Sequence, residues 1–415
     1  MVKFVYRCTV CGGRFERDEV RYLCPQCGKS YRPGMPLSGV LTAEFDHEHI
    51  RQKFRKSRPD WSLFCAVEPE FLPPYAMVPT PFARSAALGE AFGLTDVWVK
   101  NDGLNPSGSL KDRASFLVVA EANRLGEDTV VTASTGNAAS SLAAVCAAAG
   151  KRAVIFVPKA APRAKLAQML LHGALVVPVE GTYDDAFRLS LEYTARHGGL
   201  NRNTAYHPLT IEGKKTVGLE IWQQNGWRAP SVIVVPTGDG VILAGVHKAF
   251  EDLREAGLIS QPPRLVCAQA ESSSAIHDYI LTGHYRNAVH PSTIADSISV
   301  SVPSNAHLAR AAVLLSHGSS VTVSDAEILG AQRTLAETSG VFAEPSAAAS
   351  VAALAKLRDS GLLAPGEQVV VLVTGHGLKD VDAVLRNLQV PPAIAPTPEG
   401  LEGVAERLEG KGALN

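Results

Sequence analysis

The chain has 415 residues, 46% of them hydrophobic, with 40 Lys and Arg against 41 Asp and Glu. That length allows two to three domains, and the composition is that of globular chains rather than disordered or fibrous ones. A formal charge of −1 supplies no positive field to gather nucleic acid or anionic lipid, so neither is expected as a partner. 

No apolar run approaches the roughly 18 residues that a spanning helix needs, and Met1 to Arg7 lacks the apolar core of a signal peptide. A cytoplasmic location is the default expectation. Seven cysteines, an odd number, are a poor basis for a disulfide framework. Four of them form two CxxCG knuckles, Cys8-Thr-Val-Cys11-Gly and Cys24-Pro-Gln-Cys27-Gly. A short hairpin between the knuckles would bring four thiolates onto one ion, and such a soft tetrahedral set suits zinc better than iron. Gly12 and Gly28 are expected to turn the backbone so that N–H groups point at sulfur. A closed four-thiolate site keeps no position for a substrate, so the expected role is structural, stabilising a module too small to bury a core. Between the knuckles, Arg14, Arg17 and Arg21 alternate with Glu16, Asp18 and Glu19, a balance that reads as a solvated face. Asp46-His47-Glu48-His49 reads as a helix surface rather than a set of metal ligands.

Residues 39–78, rich in aromatics and prolines, are expected to wrap the body. Beyond Pro79, short β-rich runs at 96–100, 129–133, 153–157, 231–235, 265–268 and 368–373 alternate with Ala/Leu-rich helical stretches. These runs are continuously apolar, which implies burial on both faces and hence a largely parallel α/β sheet. No internal repeat is present. The prolines from Pro391 to Pro398 suggest a linker, followed by a short polar helix over 399–409.

Ligands of parallel sheets bind beyond the carboxyl ends of strands, so the loops that follow each run carry the chemistry. The first contains Asn105-Pro106-Ser107-Gly108-Ser109-Leu110-Lys111-Asp112-Arg113, in which Ser109 is expected to cap a helix and Lys111 to occupy its first turn. The positive end of a helix lowers a lysine's pKa and favours the neutral amine that an imine requires. Ser134-Thr135-Gly136-Asn137 offers two hydroxyls, a glycine and an amide at a helix start, a cradle for a carboxylate or phosphate. Gly238-Asp239-Gly240-Val241-Ile242 lacks the dinucleotide spacing, and Gly213-Lys214-Lys215-Thr216 is no P-loop; the former reads as a loop for a single phosphate. Thr374-Gly375-His376-Gly377 follows the last strand and offers a hydroxyl to a ligand. One lysine with several anion sites at strand ends points to a phosphorylated aldehyde bound as an imine, which is pyridoxal phosphate.

These blocks carry a resemblance. Pro79-Thr80-Pro81, the Lys111 block, Ser134 to Asn137, Ile211-Glu212-Gly213-Lys214-Lys215-Thr216, Glu344-Pro345-Ser346 and Thr374-Gly375-His376-Gly377-Leu378-Lys379-Asp380 occur in the order seen in the threonine synthase family, which shares the fold of the tryptophan synthase β-subunit. The resemblance runs from the knuckles to about Leu388. It implies an α/β, fold-type II pyridoxal-phosphate enzyme with two three-layer domains built on mainly parallel sheets. The implied boundaries are a zinc ribbon at 1–38, a larger cofactor-binding domain at 39–116 and 217–390, a smaller domain at 117–216, and a tail at 391–415. A homodimer is implied as well.

The resemblance further implies that Lys111 bonds the cofactor and then serves as the base, that Asn137 hydrogen-bonds its phenolic oxygen, and that Gly238, Asp239, Gly240, Val241 and Ile242 hold its phosphate. Thr374 would face the pyridine nitrogen. Ser107, Ser134, Thr135 and Lys214 are the candidate substrate contacts. The family's reaction converts O-phospho-L-homoserine and water into L-threonine and phosphate, through loss of phosphate from Cγ and addition of water at Cβ.

The chain also departs from the family. Thr210 stands where an arginine precedes the Ile-Glu-Gly block, which removes a bidentate partner for a substrate phosphate. Asp239 replaces a more usual amide, and Leu110 and Ala114 replace a Phe and a Gly. Arg163, Lys165, Lys214 and Lys215 are the cations that could compensate. The alternative function is a related lyase or β-replacement enzyme, similar to threonine or serine dehydratases, acting on another amino acid. A non-catalytic ribbon protein on a degenerate enzyme body is disfavoured by the neutral charge and the intact Lys111. Cys65, Cys146 and Cys267 read as packing residues, His376 as a residue that orders its loop, and Glu344 equally as a residue approaching the active site or as a cap of the helix after it.

Overall fold

The structure is a computed structural model that describes residues 4–56, 61–161, 163–385, 388, 391–399, 401 and 404. In chain order its strands are β1 (Phe4–Cys8), β2 (Arg14–Phe15), β3 (Leu41–Phe45), β4 (Phe82–Arg84), β5 (Asp96–Asn101), β6 (Thr129–Ala133), β7 (Arg152–Pro158), β8 (Leu175–Val179), β9 (Leu200–Asn201), β10 (Val232–Pro236), β11 (Arg264–Ala270), β12 (Ser319–Val323) and β13 (Gln368–Val373). Each of the six expected runs is a strand.

They form three sheets. β2-β1-β3 is a small antiparallel sheet, which runs past residue 38 to Phe45. A six-stranded sheet in the order β12-β11-β10-β13-β5-β4 is parallel except at its edge strand β4. The third sheet, β8-β7-β6-β9, is wholly parallel, and its four strands lie in the chain between β5 and β10. Of the tail helix expected at 399–409, only positions 399, 401 and 404 are described, each of them helical. Among the described residues no helix is long and apolar enough to cross a membrane.

The continuous apolar runs are explained by the period-2 geometry of strands set between two cores. Ile233 and Val235 of β10, Leu265 and Cys267 of β11, and Val370 and Leu372 of β13 enter one core. Their neighbours Val232, Val234, Val266, Val369 and Val371 enter another, closed by the alanine-rich helix Pro345–Asp359. The first core also takes in Phe4, Tyr6 and Leu41 of the small sheet and Val130 and Ile155 of the four-stranded one. On the same side, the helices Lys111–Leu125 and Leu209–Gln224 cross so closely that a Cβ at Gly213 would lie 2.3 Å from the carbonyl oxygen of Arg113. That contact sets the start of the Lys111 helix against the Ile-Glu-Gly block.

Three expectations for the N-terminal region are corrected. The loop between the knuckles exposes Arg14, Glu16, Asp18, Glu19 and Arg21 as expected, and the correction is confined to Arg17, which is held between Glu68 (2.8 Å) and Glu121 (2.6 Å) while Arg124 pairs with both Asp18 and Glu121. Glu121 is buried on its helix and requires counter-charge, and a mixed charge balance serves such a contact as well as it serves solvent. The N–H groups of Gly12 and Gly28 donate to the carbonyl oxygens of Cys8 (3.0 Å) and Cys24 (2.8 Å), closing each knuckle as a turn; the N–H that reaches the sulfur of Cys8 belongs to Val10 (3.4 Å). His47, on the helix His47–Lys56, pairs with Asp252 at 2.9 Å, which anchors that helix to the body.

Candidate active site

The carboxyl ends of β6, β10 and β13 converge on a cavity of about 550 Å³. Lys111, Ser134, Thr135, Asn137, Lys214, the whole of Gly238–Ile242 and Thr374 line it. Ser107 does not: its hydroxyl and its N–H (2.7 Å) both donate to the Asp112 carboxylate, so the side chain stiffens the loop instead of facing a ligand.

The floor is built by three short segments from distant parts of the chain. The N–H of Leu110 donates to Thr374 (2.9 Å), that of His376 to Gly108 (3.0 Å) and that of Glu344 to Gly375 (3.0 Å). This lacing draws Ser109 into a bridge with Gly375, and the helix begins at Lys111 without a side-chain cap. Ser109 is therefore not the expected cap, and its buried hydroxyl has no partner. The glycines of the Thr-Gly-His-Gly block are required by contact: a Cβ at Gly375 would lie 2.4 Å from the Glu344 carboxyl carbon, and one at Gly377 would lie 2.3 Å from the Phe342 ring. His376 orders the loop, its Nδ1 accepting the N–H of Leu378 at 3.1 Å.

Glu344 occupies the N-cap position of its helix, yet its carboxylate leaves the backbone uncapped and accepts from Asn137 Nδ2 at 3.0 and 3.1 Å, an amide that also reaches Ser297 Oγ (3.3 Å). It lies behind the lining residue Asn137, which selects approach to the site over a cap. Burial raises its pKa, whereas burial lowers that of Lys111 against the opposing pull of Glu344 and Asp239. The amine that the loop presents is thus biased toward its neutral, nucleophilic form.

At the loop after β10, Gly240 has φ +83° and precedes the helix Val241–Glu255. This left-handed turn favours glycine, and it aims the first N–H groups of that helix toward the cavity. The Asp239 carboxylate is turned to accept the N–H of Ser304 (3.3 Å). Beside it, the hydroxyl of Ser304 and both amide atoms of Asn305 are buried without partners. Orphaned polar groups next to a helix start fit an anion such as the cofactor's phosphate.

The cations sort themselves by partner. Lys215 is bound to Glu212 (2.5 Å) and Asp252 (3.1 Å) over the Phe45 ring, so it does not serve the cavity. The side chains of Arg163 and Lys165 lie outside the described residues. Thr210 locks a turn, donating to His207 O (2.7 Å) and accepting the N–H of Ala205 (3.0 Å). Lys214 opens on the cavity with no hydrogen bond or ion pair among the described residues, and burial drives its pKa well below the usual lysine value, with Lys111 and Arg202 adding to the effect. 

Arg202, directly after β9, escaped the sequence reading. It is fully buried, donates to Ser115 Oγ (3.2 Å) and to Thr204 Oγ1 (3.0 Å), and leaves Nη2 without a partner. Burial lowers its pKa to about 10. Thr204 itself lines the cavity. The polar run Asn201-Arg202-Asn203-Thr204 at the end of an apolar segment is the signal that could have revealed it.

The four knuckle sulfurs lie within 4.8 Å of one another, with Cys11 and Cys24 Sγ 3.8 Å apart. A tetrahedral ion with bonds of about 2.3 Å to sulfur requires S···S edges of about 3.8 Å, so the set fits one such ion.

The family model for pyridoxal-phosphate-dependent enzymes matches residues 74–375. The threonine synthase of Methanocaldococcus jannaschii is 34% identical over 405 residues, covering 93% of this chain and 95% of that protein. The chain belongs to the threonine synthase family of pyridoxal-phosphate-dependent enzymes. The Methanosarcina acetivorans member is 33% identical and covers 98% of both chains, and the Mycobacterium tuberculosis member is 35% identical over 79% of this chain and 89% of its own. The fold is shared with maize serine racemase (TM-score 0.64, 22% identity, 74% of this chain and 91% of that one) and with threonine deaminase isoform 2 from Solanum lycopersicum (0.65, 21%, 77% and 89%). The family's cofactor fits the neutral-leaning lysine, the helix start at Gly240 and the orphaned Ser304 and Asn305.

Proposed function

We propose that this enzyme converts O-phospho-L-homoserine and water into L-threonine and phosphate. The observation that carries the reading is that Lys214, in the cavity wall, and Arg202, behind Thr204, are buried with no carboxylate bonded to them among the described residues, so an anionic substrate would favour the charged form of Lys214 that burial opposes. These two cations would take the place of the arginine that Thr210 replaces, Lys214 at the wall and Arg202 behind Thr204. Ser134, Thr135 and the helix start at Asn137 would receive the substrate's carboxylate.

Pyridoxal phosphate, when bound, supplies an electron sink for charge developing on the substrate's carbons. Lys111 would hold it, and the Lys111 amine would carry protons at the substrate's Cα and Cβ. The N–H groups from Gly238 to Ile242 would hold its phosphate, Asn137 its phenolic oxygen and Thr374 its ring nitrogen. The four knuckle thiolates would hold a structural zinc ion. We further assign the domains as 1–45, with the boundary at 38 moved to take in β3, 46–116 with 217–390, 117–216 and a tail at 391–415, and expect a homodimer in the cytoplasm.

The test is release of threonine and phosphate from O-phospho-L-homoserine by the cofactor-loaded protein, beside a Lys111→Ala control. Both products from the wild type alone support the assignment. A cofactor chromophore without either product would overturn it in favour of a dehydratase or β-replacement reaction, the reading that the loss of an arginine at Thr210 favours.

A further inference from the structure

We propose that residues 31–38 form a strap that walls the active cavity, and that the metal knuckles set substrate affinity by holding the neck of this strap. Tyr31, Gly34, Met35 and Leu37 line the same cavity as Lys111 and Ser134, although they belong to the segment that leaves the second knuckle.

Both ends of the strap are fastened to that knuckle. The N–H of Tyr31 donates to Gly28 O (3.2 Å), and the N–H of Cys24 donates to Gly39 O (2.8 Å). Between them Ser30 Oγ donates to Cys27 O (2.7 Å) and can accept from the Ser38 hydroxyl (2.9 Å), which closes the neck. Gly39 has φ +73°, and a Cβ there would lie 2.7 Å from the N of Gly28, so the returning chain presses directly on the knuckle. The tip is pinned at two points: Leu37 N–H donates to Ser304 O (2.9 Å), beside the phosphate loop, and Asn287 Nδ2 donates to Gly34 O (2.9 Å). Leu37 packs with Ile211 and Val241, while Met35 stays about half exposed at 48%.

The wall residues Gly34, Met35 and Leu37 carry no titratable group, and Tyr31 adds an aromatic face. Their contribution is shape and exclusion of water, not proton transfer. A loop tied at its neck arrives pre-organised, and the substrate need not order it on binding. Four thiolates on one ion would hold the neck closed; without the ion the cysteines take up protons and the cross-link between the knuckles is lost. Lys111 lies on another segment, and among the described residues the strap meets the phosphate loop through Leu37, so changing Tyr31 or Met35 leaves every proposed cofactor contact in place.

The inference rests on the cavity taking an amino-acid substrate. The experiment compares wild type, Met35→Ala, Tyr31→Ala and chelator-treated wild type, all loaded with pyridoxal phosphate. Metal content is read by mass spectrometry, cofactor content by absorbance, and substrate affinity both as KM and by titration of the cofactor band. Ordering one or two side chains on binding predicts a rise of about tenfold in KM and in the titrated Kd for both variants and for the metal-depleted protein, with kcat changed less than about threefold and cofactor content unchanged. Unchanged affinity in both strap variants, or a metal-depleted protein that loses kcat or cofactor at constant KM, would overturn it. If chelation unfolds the protein, the two variants decide the wall itself, and a metal role confined to stability replaces the second half of the proposal. If wild type forms no threonine, the substrate assignment has failed, and titration of the cofactor band with L-serine and L-threonine still reads the strap.

Discussion

Two groups of cations are buried equally deeply in this molecule and differ in what they touch. Arg113 bonds Asp102 at 2.6 Å and Glu220 at 2.7 Å, and Lys100 bonds Glu220 at 2.7 Å; Thr80 completes the cluster through Asp102 at 2.6 Å. This is where the Pro79-Thr80-Pro81 and Asp112-Arg113 blocks meet, and every charge in it is matched within the fold. Lys214 and Arg202, around the cavity, have no bonded carboxylate among the described residues. A buried charge matched in place braces the structure, whereas one left unmatched lowers stability until a ligand arrives. Burial alone therefore does not separate a structural cation from a binding one. The partner list does.

The largest effect is expected at the lysine that opens on the cavity. Lys111→Ala should reduce threonine formation by about 10³-fold or more, with an unchanged urea midpoint; a parallel loss of stability would move Lys111 into the structural group. Next comes Arg113→Met, which strands the Asp102 carboxylate and leaves Glu220 to Lys100 alone. It should cost about 3–5 kcal/mol in urea unfolding, and a loss below about 1 kcal/mol would erase the contrast.

A third buried base supplies a pH test. His207 is 2% exposed, and burial lowers its pKa from 6.5 to about 4. Above pH 6.5 the folded and unfolded forms are both neutral at this residue, so it contributes no pH dependence. As pH falls toward 4 only the unfolded chain gains the proton, and roughly 3 kcal/mol of stability should disappear over that interval. His207→Gln should flatten that part of the stability profile; a profile identical to wild type would mean that the ring is protonated in the fold. The smallest effect is the sharpest for the comparison: Lys214→Met should lower kcat/KM for O-phospho-L-homoserine by about 10²-fold while leaving stability unchanged or raising it by about 1 kcal/mol. Destabilisation by the same variant would mean that Lys214 is matched after all.

Legibility in the sequence followed the range of the interaction. The knuckles, the buried strands, and the loops carrying Lys111, Ser134 and Gly238 declare themselves within a dozen residues, because each depends on local spacing and hydrophobic pattern. Misreadings and undecided readings arose where a side chain's destination lies far away in the chain. Glu344 reads equally as a helix cap beside Pro345 or as a residue approaching the site, and its acceptor atoms are taken by Asn137, 207 positions earlier. Arg17 looks solvated among its neighbours, yet Glu121 claims it from 104 positions on. Ser109 has the chemistry of a cap and is instead laced to Gly375.

Composition, strand patterning and the spacing of cysteines, lysine and glycines were enough to specify an α/β enzyme with a four-thiolate module and a lysine at a strand end. Which cations face the cavity, and that the segment after the second knuckle walls it, depended on chain packing. The physical reason is that local geometry specifies where a backbone turns, while the matching of a buried charge depends on which distant segment packs against it.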